Sequence, residues 1–425
     1  MVSPVSTRTS APNTPLERLQ DVDPLEQRND LQGPLLGERA EADGGPVAAD
    51  MKLSFLLDSA IYHPLSQVDV PPQFRKPFMP PPQPGTTTAQ ALNQLNLLIG
   101  NCDFVGAAHY AAVCLSSGVV SATDHPVIFR LLSARFSCLE LIGQVLLAAQ
   151  EAKALEDLSS DFYYVIPEVS EAEIETHDGR RPLAKHIMPF DLRVQATRLQ
   201  SVGFSDLRRG ITALYELGLE IREHIASPYT SDSERRTWSE RLASLNMHVV
   251  NSLIELGDIE CAQRTLSHSK PADAVAQTYW AQQMVLMLIR LGQLKKAERY
   301  IDELEADEDI KQLLVSLVSI ADGRLDDAAK RLENIAQQNP KSSMQALAKQ
   351  NLSVVYLYLG RIDAASKLLD DLINDGYSSV SVTMNLATIF DLKSDRSRDL
   401  KVSLVNTIAS SDSRKRAFTN ADFKL

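Results

Sequence analysis

Paired carboxylates are the residues of this 425-residue sequence whose types and spacing come closest to supporting a reaction. Adjacent carboxyl groups can act as general acid and general base when their pKa values differ. Asp326–Asp327 and Asp370–Asp371 are pairs of this kind. Both are expected just after turns, at the starts of helices, where the helix dipole stabilises negative charge. Their positions are therefore explained without catalysis.

Other side chains that commonly form reactive centres are dispersed along the chain. The eight histidines, from His63 to His268, are isolated in the sequence. The sequence has no glycine-rich phosphate loop with its lysine, no His-Glu-x-x-His motif and no Gly-x-Ser-x-Gly motif. It therefore predicts a protein that is not an enzyme and that has no cofactor or metal site.

The cysteines show no paired spacing; they are Cys102, Cys114, Cys138 and Cys261. Such usage favours reduced, buried thiols in a cytosolic protein over disulfides. The N-terminus lacks the charged start and apolar core of a signal peptide.

Charge and hydropathy limit the partners. The net charge of -12 disfavours nucleic acid, because phosphate binding needs a basic stripe. No stretch approaches about 18 uninterrupted apolar residues, so no transmembrane segment is predicted. The residues from Lys393 onward are rich in basic side chains. We interpret them as a solvated cap, with weak attachment to anionic lipid as the alternative. The predicted location is cytoplasmic, with at most peripheral membrane association.

A short pattern recurs four times in the C-terminal half. Each copy has a glycine, an aliphatic residue two positions later and an alanine five positions later. The glycine and alanine pairs are Gly257 and Ala262, Gly292 and Ala297, Gly323 and Ala328, and Gly360 and Ala365. The glycines lie 35, 31 and 37 residues apart, a period typical of helical repeats. Glycine can end a helix with a positive φ, and a small residue one turn later lets two helix axes approach closely.

This pattern resembles the tetratricopeptide repeat. The resemblance predicts an all-α protein, a tetratricopeptide-like α-solenoid that is a superhelix of antiparallel helix pairs, with a disordered Pro-rich N-terminus. Three regions are expected. Residues 1–88 form the disordered segment, residues 89–227 hold divergent helical repeats with an acidic loop near 159–186, and residues 228–425 form the repeat array with C-terminal capping helices.

The N-terminal segment contains 14 of the 21 prolines, a composition typical of disorder. Within it, the apolar cluster of Met51–Tyr62 predicts a short helix that docks either on the folded part or on a partner. Pro80–Pro84 is interpreted as a stiff spacer, with a polyproline ligand as the alternative. Further along, Cys102–Ala107 and Ser201–Phe204 are interpreted as degenerate copies of the turn. Pro126–Leu158 predicts one longer helical stretch.

Stacked helical hairpins form a concave groove. Side chains six and ten residues before each glycine are expected to line it. These candidate partner-binding residues are Met247 and Asn251, Gln282 and Leu286, Leu313 and Leu317, and Gln350 and Val354. Co-chaperones with these repeats hold a peptide's terminal carboxylate with lysine and asparagine at such positions. Here Asn251 matches, but Met247 replaces the lysine, so no carboxylate clamp is expected.

The predicted groove is largely apolar, which favours occupation by the chain's own segment or by a permanent partner. The alternative is that these residues pack within the superhelix itself.

Two segments resemble the family of subunit 12 of the trafficking protein particle (TRAPP) complex. Ile187–Arg193 is similar to a segment ahead of that family's repeats, and Asn385–Leu392, followed by Ser394–Ser397, is similar to its last recognisable block. The resemblance implies a non-catalytic scaffold subunit of a vesicle-tethering complex in endoplasmic reticulum-to-Golgi transport.

As partners, the resemblance implies the large arm subunits and the small-subunit core of that complex, and through the core, indirectly, a Rab-type GTPase. It also implies association with Golgi and ER–Golgi intermediate membranes. The alternative is a free-standing tetratricopeptide adaptor that binds peptide segments of partner proteins, as co-chaperones do.

Overall fold

The computed structural model describes residues 52–167, 169, 181–269, 271, 274–304, 306–338, 342–410 and 418–425. These residues form sixteen α-helices, one two-stranded sheet and short 3-10 helices. The α-helices are α1 Thr88–Gly100, α2 Phe104–Ser116, α3 His125–Leu141, α4 Val145–Ala152, α5 Phe190–Gly203, α6 Leu207–Ala226, α7 Asp232–Leu256, α8 Ile259–His268, α9 Ala274–Arg290, α10 Leu294–Glu303, α11 Glu308–Ala321, α12 Leu325–Gln337, α13 Ser343–Tyr358, α14 Ile362–Asn374, α15 Val380–Lys393 and α16 Ser397–Ser410. The predicted all-α, solenoid-like fold is confirmed.

Each odd-numbered helix packs against the even-numbered helix that follows it, and we refer to them as the first and second helices of a pair. Successive pairs also pack together, and the first helices α9, α11 and α13 contact one another in order. Helices α15 and α16 follow the last of the four glycine corners, in the region where the sequence predicts C-terminal capping helices.

Seven of these described pairs are joined by the same corner. One residue in each corner has a positive φ. The N–H of the residue that follows it donates a hydrogen bond, at 2.8–2.9 Å, to the carbonyl of the residue four positions before the positive-φ residue. This hydrogen bond closes a Schellman motif, which satisfies a carbonyl at the end of the first helix. The positive-φ residues are Cys102, Gly143, Ser205, Gly257, Gly292, Gly323 and Gly360.

The fifth residue after each positive-φ residue is small and buried. It is alanine in six corners, and each of these alanines is 0 % exposed: Ala107, Ala148, Ala262, Ala297, Ala328 and Ala365. In the remaining corner it is Gly210, where an added Cβ would lie 2.3 Å from the Cβ of Ser201 on the paired helix. A small residue is required here because the two helices approach most closely beside the corner.

Two corners differ from the sequence-based interpretation. The prediction of one helical stretch over Pro126–Leu158 is wrong, because Gly143 has a φ of 79° and separates α3 from α4. In the Ser201–Phe204 segment, Gly203 is the last residue of α5, and the positive φ of 56° falls on Ser205 instead.

The apolar core continues along the solenoid. Clusters of buried side chains extend from Leu53 to Leu199, from Phe190 to Val318, from Leu313 to Val355 and from Ala365 to Phe423. The second cluster contains residues on both sides of position 227, so the described core has no break at the expected boundary between divergent and regular repeats.

A two-stranded antiparallel sheet separates α4 from α5. Its strands are β1 Tyr164–Val165 and β2 Lys185–His186, and they hold together the flanks of the predicted acidic loop. Residues 168 and 170–180, which carry its acidic side chains, lie outside the described residues. Arg193 on α5 donates to both carboxylate oxygens of Glu220 on α6 at 2.7 Å and to the hydroxyl of Tyr164 at 2.5 Å. This network fixes the sheet against the third helix pair.

Residues 1–51 lie outside the described residues, and the expected disorder does not extend to residues 52–88. Three 3-10 helices form here, Ser54–Leu57, Ser59–Ile61 and Pro72–Phe74. Leu53 and Leu56 are 0 % and 1 % exposed within the first core cluster. Burial of such apolar side chains offsets the entropy lost on ordering a segment of low helical periodicity. The apolar cluster therefore docks on the folded part, one of the two alternatives that the sequence left open.

Candidate partner-binding surface

The eight residues expected to line a groove lie on the first helices α7, α9, α11 and α13, but they differ in exposure. Leu286 is 39 % exposed, whereas Leu313 is 7 % exposed and belongs to a core cluster. The other six are half-buried: Met247, Asn251, Gln282, Leu317, Gln350 and Val354. Leu313 therefore packs within the superhelix, whereas Leu286 is accessible at the surface.

Exposed apolar side chains are confined to the first helices over residues 259–393 of the described chain. There, every large apolar side chain classed as exposed lies on α9, α13 or α15, and the second helices α8, α10, α12 and α14 carry none. The residues are Tyr279, Leu286, Leu347, Tyr358, Met384 and Leu392, with exposed fractions from 39 % to 61 %. We call these six residues the apolar first-helix surface.

Sequence reasoning missed most of this surface, although helical spacing contains the signal. Tyr279 and Leu347 stand 13 residues before their glycines, and Tyr358 stands two before its glycine. At about 100° per residue, positions 2, 6, 10 and 13 before a glycine fall within about 80° of one helix face. The positions at six and ten thus sample only part of the face that the structure exposes.

The eight predicted groove positions do not supply the cation that a carboxylate clamp needs. None of the eight predicted groove positions is lysine or arginine. Asn251, which matches the clamp asparagine, has a buried Nδ2 with no hydrogen-bond partner among the described residues. A buried amide nitrogen of this kind is destabilising by about 1–3 kcal/mol and is shielded from a ligand. The geometry therefore favours apolar contacts over recognition of a terminal carboxylate.

The paired carboxylates occupy two different environments. Asp326 and Asp327 lie in the first turn of α12, as expected. For Asp370 and Asp371 the expectation is wrong, because they lie in the second half of α14, away from its N-terminus. Burial is the main cause that raises the pKa of Asp370, and the neighbouring charge of Asp371 acts in the same direction. The half-buried position of Asp370 therefore explains its raised pKa.

All four cysteines are free thiols. Cys114 and Cys138 are buried, whereas Cys102 and Cys261 are half-buried. Burial raises the pKa of the Cys114 thiol to about 11 and that of the Cys138 thiol to about 12. These two side chains are protonated at neutral pH and serve as core packing.

The described ranges offer neither a metal-binding cluster nor a membrane-spanning helix. No group of three or more histidine, cysteine, aspartate or glutamate side chains there is placed to hold a metal ion. Among the described helices, none is long and apolar enough to cross a membrane. A depression of about 380 Å³ lies between α11 and α12, and one of about 360 Å³ lies between α6 and the chain around Tyr164 and Leu183–Ala184. Neither is lined by residues of the apolar first-helix surface.

Comparison with known proteins agrees with the fold. A family model described as tetratricopeptide repeat matches residues 319–379, which extend from the last turn of α11 to the residue before α15. The Mus musculus protein called trafficking protein particle complex subunit 12 is 24% identical over 271 residues, covering 56% of this chain and 32% of the relative. The Homo sapiens protein of the same name is 25% identical over 192 residues, covering 41% of this chain and 25% of the relative.

The chain therefore spans about a third or less of the length of these relatives. It is a helical protein that contains a tetratricopeptide repeat and is similar, over part of its length, to a TRAPP subunit.

Proposed function

We propose that this protein is a non-catalytic scaffold subunit of a TRAPP-type vesicle-tethering complex and acts in endoplasmic reticulum-to-Golgi transport through protein–protein contacts. The similarity to subunit 12 in two mammals supports membership of such a complex. The apolar first-helix surface supports the mode of action, because large apolar side chains exposed along one set of helices are unfavourable in water and are typical of interfaces.

The observation that carries the proposal is the asymmetry between first and second helices. Large apolar side chains are exposed on one set of helices only over residues 259–393 of the described chain. A permanent partner suits such a surface, because interfaces between obligate subunits are more hydrophobic than transient ones. On this proposal the partners are the large arm subunits and the small-subunit core, with a Rab-type GTPase reached indirectly through the core. Location at Golgi and ER–Golgi intermediate membranes follows from membership of the complex.

Affinity purification of the tagged full chain from its own cells, followed by mass spectrometry, tests the proposal. The unsubstituted chain is expected to co-purify with other TRAPP subunits. Leu286→Asp and Tyr358→Asp are expected to reduce that recovery about tenfold or more, because a charge at an apolar interface residue costs about 1.4 kcal/mol or more of binding free energy.

Matched controls lie on second helices. Leu146→Asp on α4 and Tyr215→Asp on α6 place the same charge at residues that are 71 % and 48 % exposed, and both should retain the partners. Circular dichroism of all four variants checks that each remains helical. Recovery of chaperone tails without any TRAPP subunit would instead identify a free-standing adaptor. Equal loss in test and control variants would contradict the assignment of the surface.

A further inference from the structure

Residues 67–76 form a compact lobe closed by their own side chains. The side-chain amide of Gln67 donates to the carbonyl of Lys76 at 2.5 Å and accepts from the N–H of Lys76 at 3.1 Å. The guanidinium of Arg75 donates to the carbonyl of Val70 at 2.9 Å. The ends of this ten-residue segment are therefore held together, as in an Ω-loop. We call it the strap lobe.

The strap lobe docks on the C-terminal end of the solenoid. The ring of Phe74 stacks on Phe418 and Phe423, with centroids 5.2 Å and 6.2 Å apart. Both partner rings are almost fully buried, at 2 % and 0 % exposure. The N–H of Asn420 donates to the carbonyl of Asp69 at 2.7 Å. We call α16 together with residues 418–425 the C-terminal cap.

The chain on either side of the strap lobe is anchored at the N-terminal end of the solenoid. The N–H of His63 donates to Glu151 at 2.9 Å, and the carbonyl of His63 accepts from Arg135 at 2.9 Å. Arg135 and Glu151 are themselves a buried ion pair, 0 % and 2 % exposed. After the lobe, Phe78 stacks on His109 of α2, with ring centroids 4.3 Å apart. Breaking the first anchor exposes the buried Arg135–Glu151 pair, and breaking the second separates the half-buried rings of Phe78 and His109, so both anchors stabilise the attached segment.

The two ends of the solenoid must therefore lie close together. Phe74 contacts the cap and Phe78 contacts α2, yet only four residues of chain, about 14 Å at full extension, separate them. We infer that the C-terminal cap is a binding site for an aromatic side chain on a short loop, and that the strap lobe fills it in cis and closes the solenoid end to end. A tethered ligand of this kind has an effective concentration of about 1 mM, so a site of about 10 µM affinity stays about 99 % occupied.

Opening the closure is the first test. Phe74→Ala in the full chain is expected to raise deuterium uptake in residues 418–425 and to increase the radius of gyration measured by small-angle X-ray scattering. Phe55→Ala is the matched control, because Phe55 belongs to the same N-terminal segment but packs against Phe162, at the opposite end of the solenoid. The control should leave both measurements unchanged. Unchanged uptake and unchanged radius in Phe74→Ala would overturn the inference.

Supplying the lobe in trans is the second test. A fluorescein-labelled peptide of residues 64–79 is expected to bind the Phe74→Ala chain about a hundredfold more tightly than the unsubstituted chain, where the cis lobe competes. The same peptide carrying Phe74→Ala should not bind. Bound peptide should also restore protection of residues 418–425, which shows that the cap remains folded.

A second variant covers the case in which Phe74→Ala unfolds the cap. Gln67→Ala removes the hydrogen bonds to Lys76 that close the lobe, while leaving every cap residue intact. It is expected to give the same rise in uptake and the same gain in peptide affinity. Equal peptide affinity for the unsubstituted, Phe74→Ala and Gln67→Ala chains would overturn the proposal.

Discussion

Replacing Gly210 by alanine is expected to destabilise the α5–α6 pair, although alanine is the better helix former. The new Cβ would lie 2.3 Å from the Cβ and 2.7 Å from the Oγ of Ser201. Carbon atoms pack best at about 3.5–4.0 Å, so the helices would have to separate by about 1 Å or more. Overpacking costs about 1–3 kcal/mol, and a Cβ–Cβ approach about 1 Å or more too close belongs to the upper part of that range, about 2–3 kcal/mol, against a gain in helix propensity of about 1 kcal/mol. The expected net loss is about 1–2 kcal/mol.

The control is a second glycine in the same helix. At Gly218 an added Cβ would meet the guanidinium end of Arg222 at 3.3 Å and Leu245 at 3.5 Å. The arginine end can move by a few tenths of an ångström, so Gly218→Ala should gain about 0.5 kcal/mol from the removal of backbone freedom in the unfolded chain. The two substitutions, eight residues apart, are thus expected to change stability in opposite directions.

Hydrogen exchange of amides in α5 and α6 is the appropriate assay, because a solenoid opens locally and need not unfold as one unit. A loss of 1–2 kcal/mol corresponds to exchange faster by a factor of about 5–30. The double variant Ser201→Gly with Gly210→Ala removes the opposing Cβ and should recover most of the protection. Protection equal to or greater than that of the unsubstituted chain in Gly210→Ala would refute the close-packed corner.

Three further predictions concern a buried imidazole, the thiols and the corner conformation. Burial lowers the pKa of His186 to about 4, below the unfolded value of about 6.5, so stability should fall as the pH drops from about 6.5 toward 4. The expected loss of unfolding free energy at pH 5 is about 2 kcal/mol. It is checked by comparing unfolding midpoints at pH 7.5 and pH 5, and His186→Asn should reduce the difference between the two midpoints. Iodoacetamide at pH 8 should modify Cys138 at least about tenfold more slowly than half-buried Cys261, and equal rates by mass spectrometry would contradict the burial argument. Ser205→Gly should stabilise the protein and Gly323→Ala should destabilise it, each by about 1 kcal/mol in urea unfolding. Both positions have a positive φ, which glycine adopts more easily than other residues. At Gly323 nothing lies within 4 Å of an added Cβ, so the effect there comes from the backbone conformation alone.

The corners between paired helices could be predicted from the sequence where a glycine occupies the position that has a positive φ. Four glycines marked four corners, and the same rule applied to Gly143, with Val145 two positions later and Ala148 five positions later, identifies a fifth. At Ser205 the rule fails, because a non-glycine residue takes the positive φ and Gly210 replaces the alanine. Local sequence does not reveal such a conformation, since serine seldom adopts it and tertiary packing decides where it does.

The attachment of the N-terminal segment was not predictable from periodicity. The strap lobe contains no helical repeat, and its contacts join residues more than 300 positions apart, such as Phe74 and Phe418. Proline content predicted disorder, whereas residues 52–87 form short 3-10 turns that pack on the solenoid, because composition does not distinguish a free chain from one fixed by a few buried side chains. Leu53, Leu56 and Val70 are buried and Phe74 is half-buried against the last core cluster, and these few scattered residues do not form a sequence pattern.

Position within the repeat determines which face a residue occupies, but packing determines whether it is accessible. Leu286 and Leu317 stand at the same position relative to their glycines, yet Leu286 is exposed and Leu317 is half-buried against the second core cluster. Leu313, ten residues before its glycine, is buried among side chains of α12 and α13, whereas Gln282 at the equivalent position is half-buried. The difference arises because first helices contact one another along α9, α11 and α13, so each one shields part of its neighbour's face. Leu317→Asp should therefore disturb folding as well as partner recovery. Leu286→Asp, by contrast, should reduce partner recovery alone. Circular dichroism reports the loss of helix and affinity purification reports the loss of partners, so the two measurements together separate these outcomes.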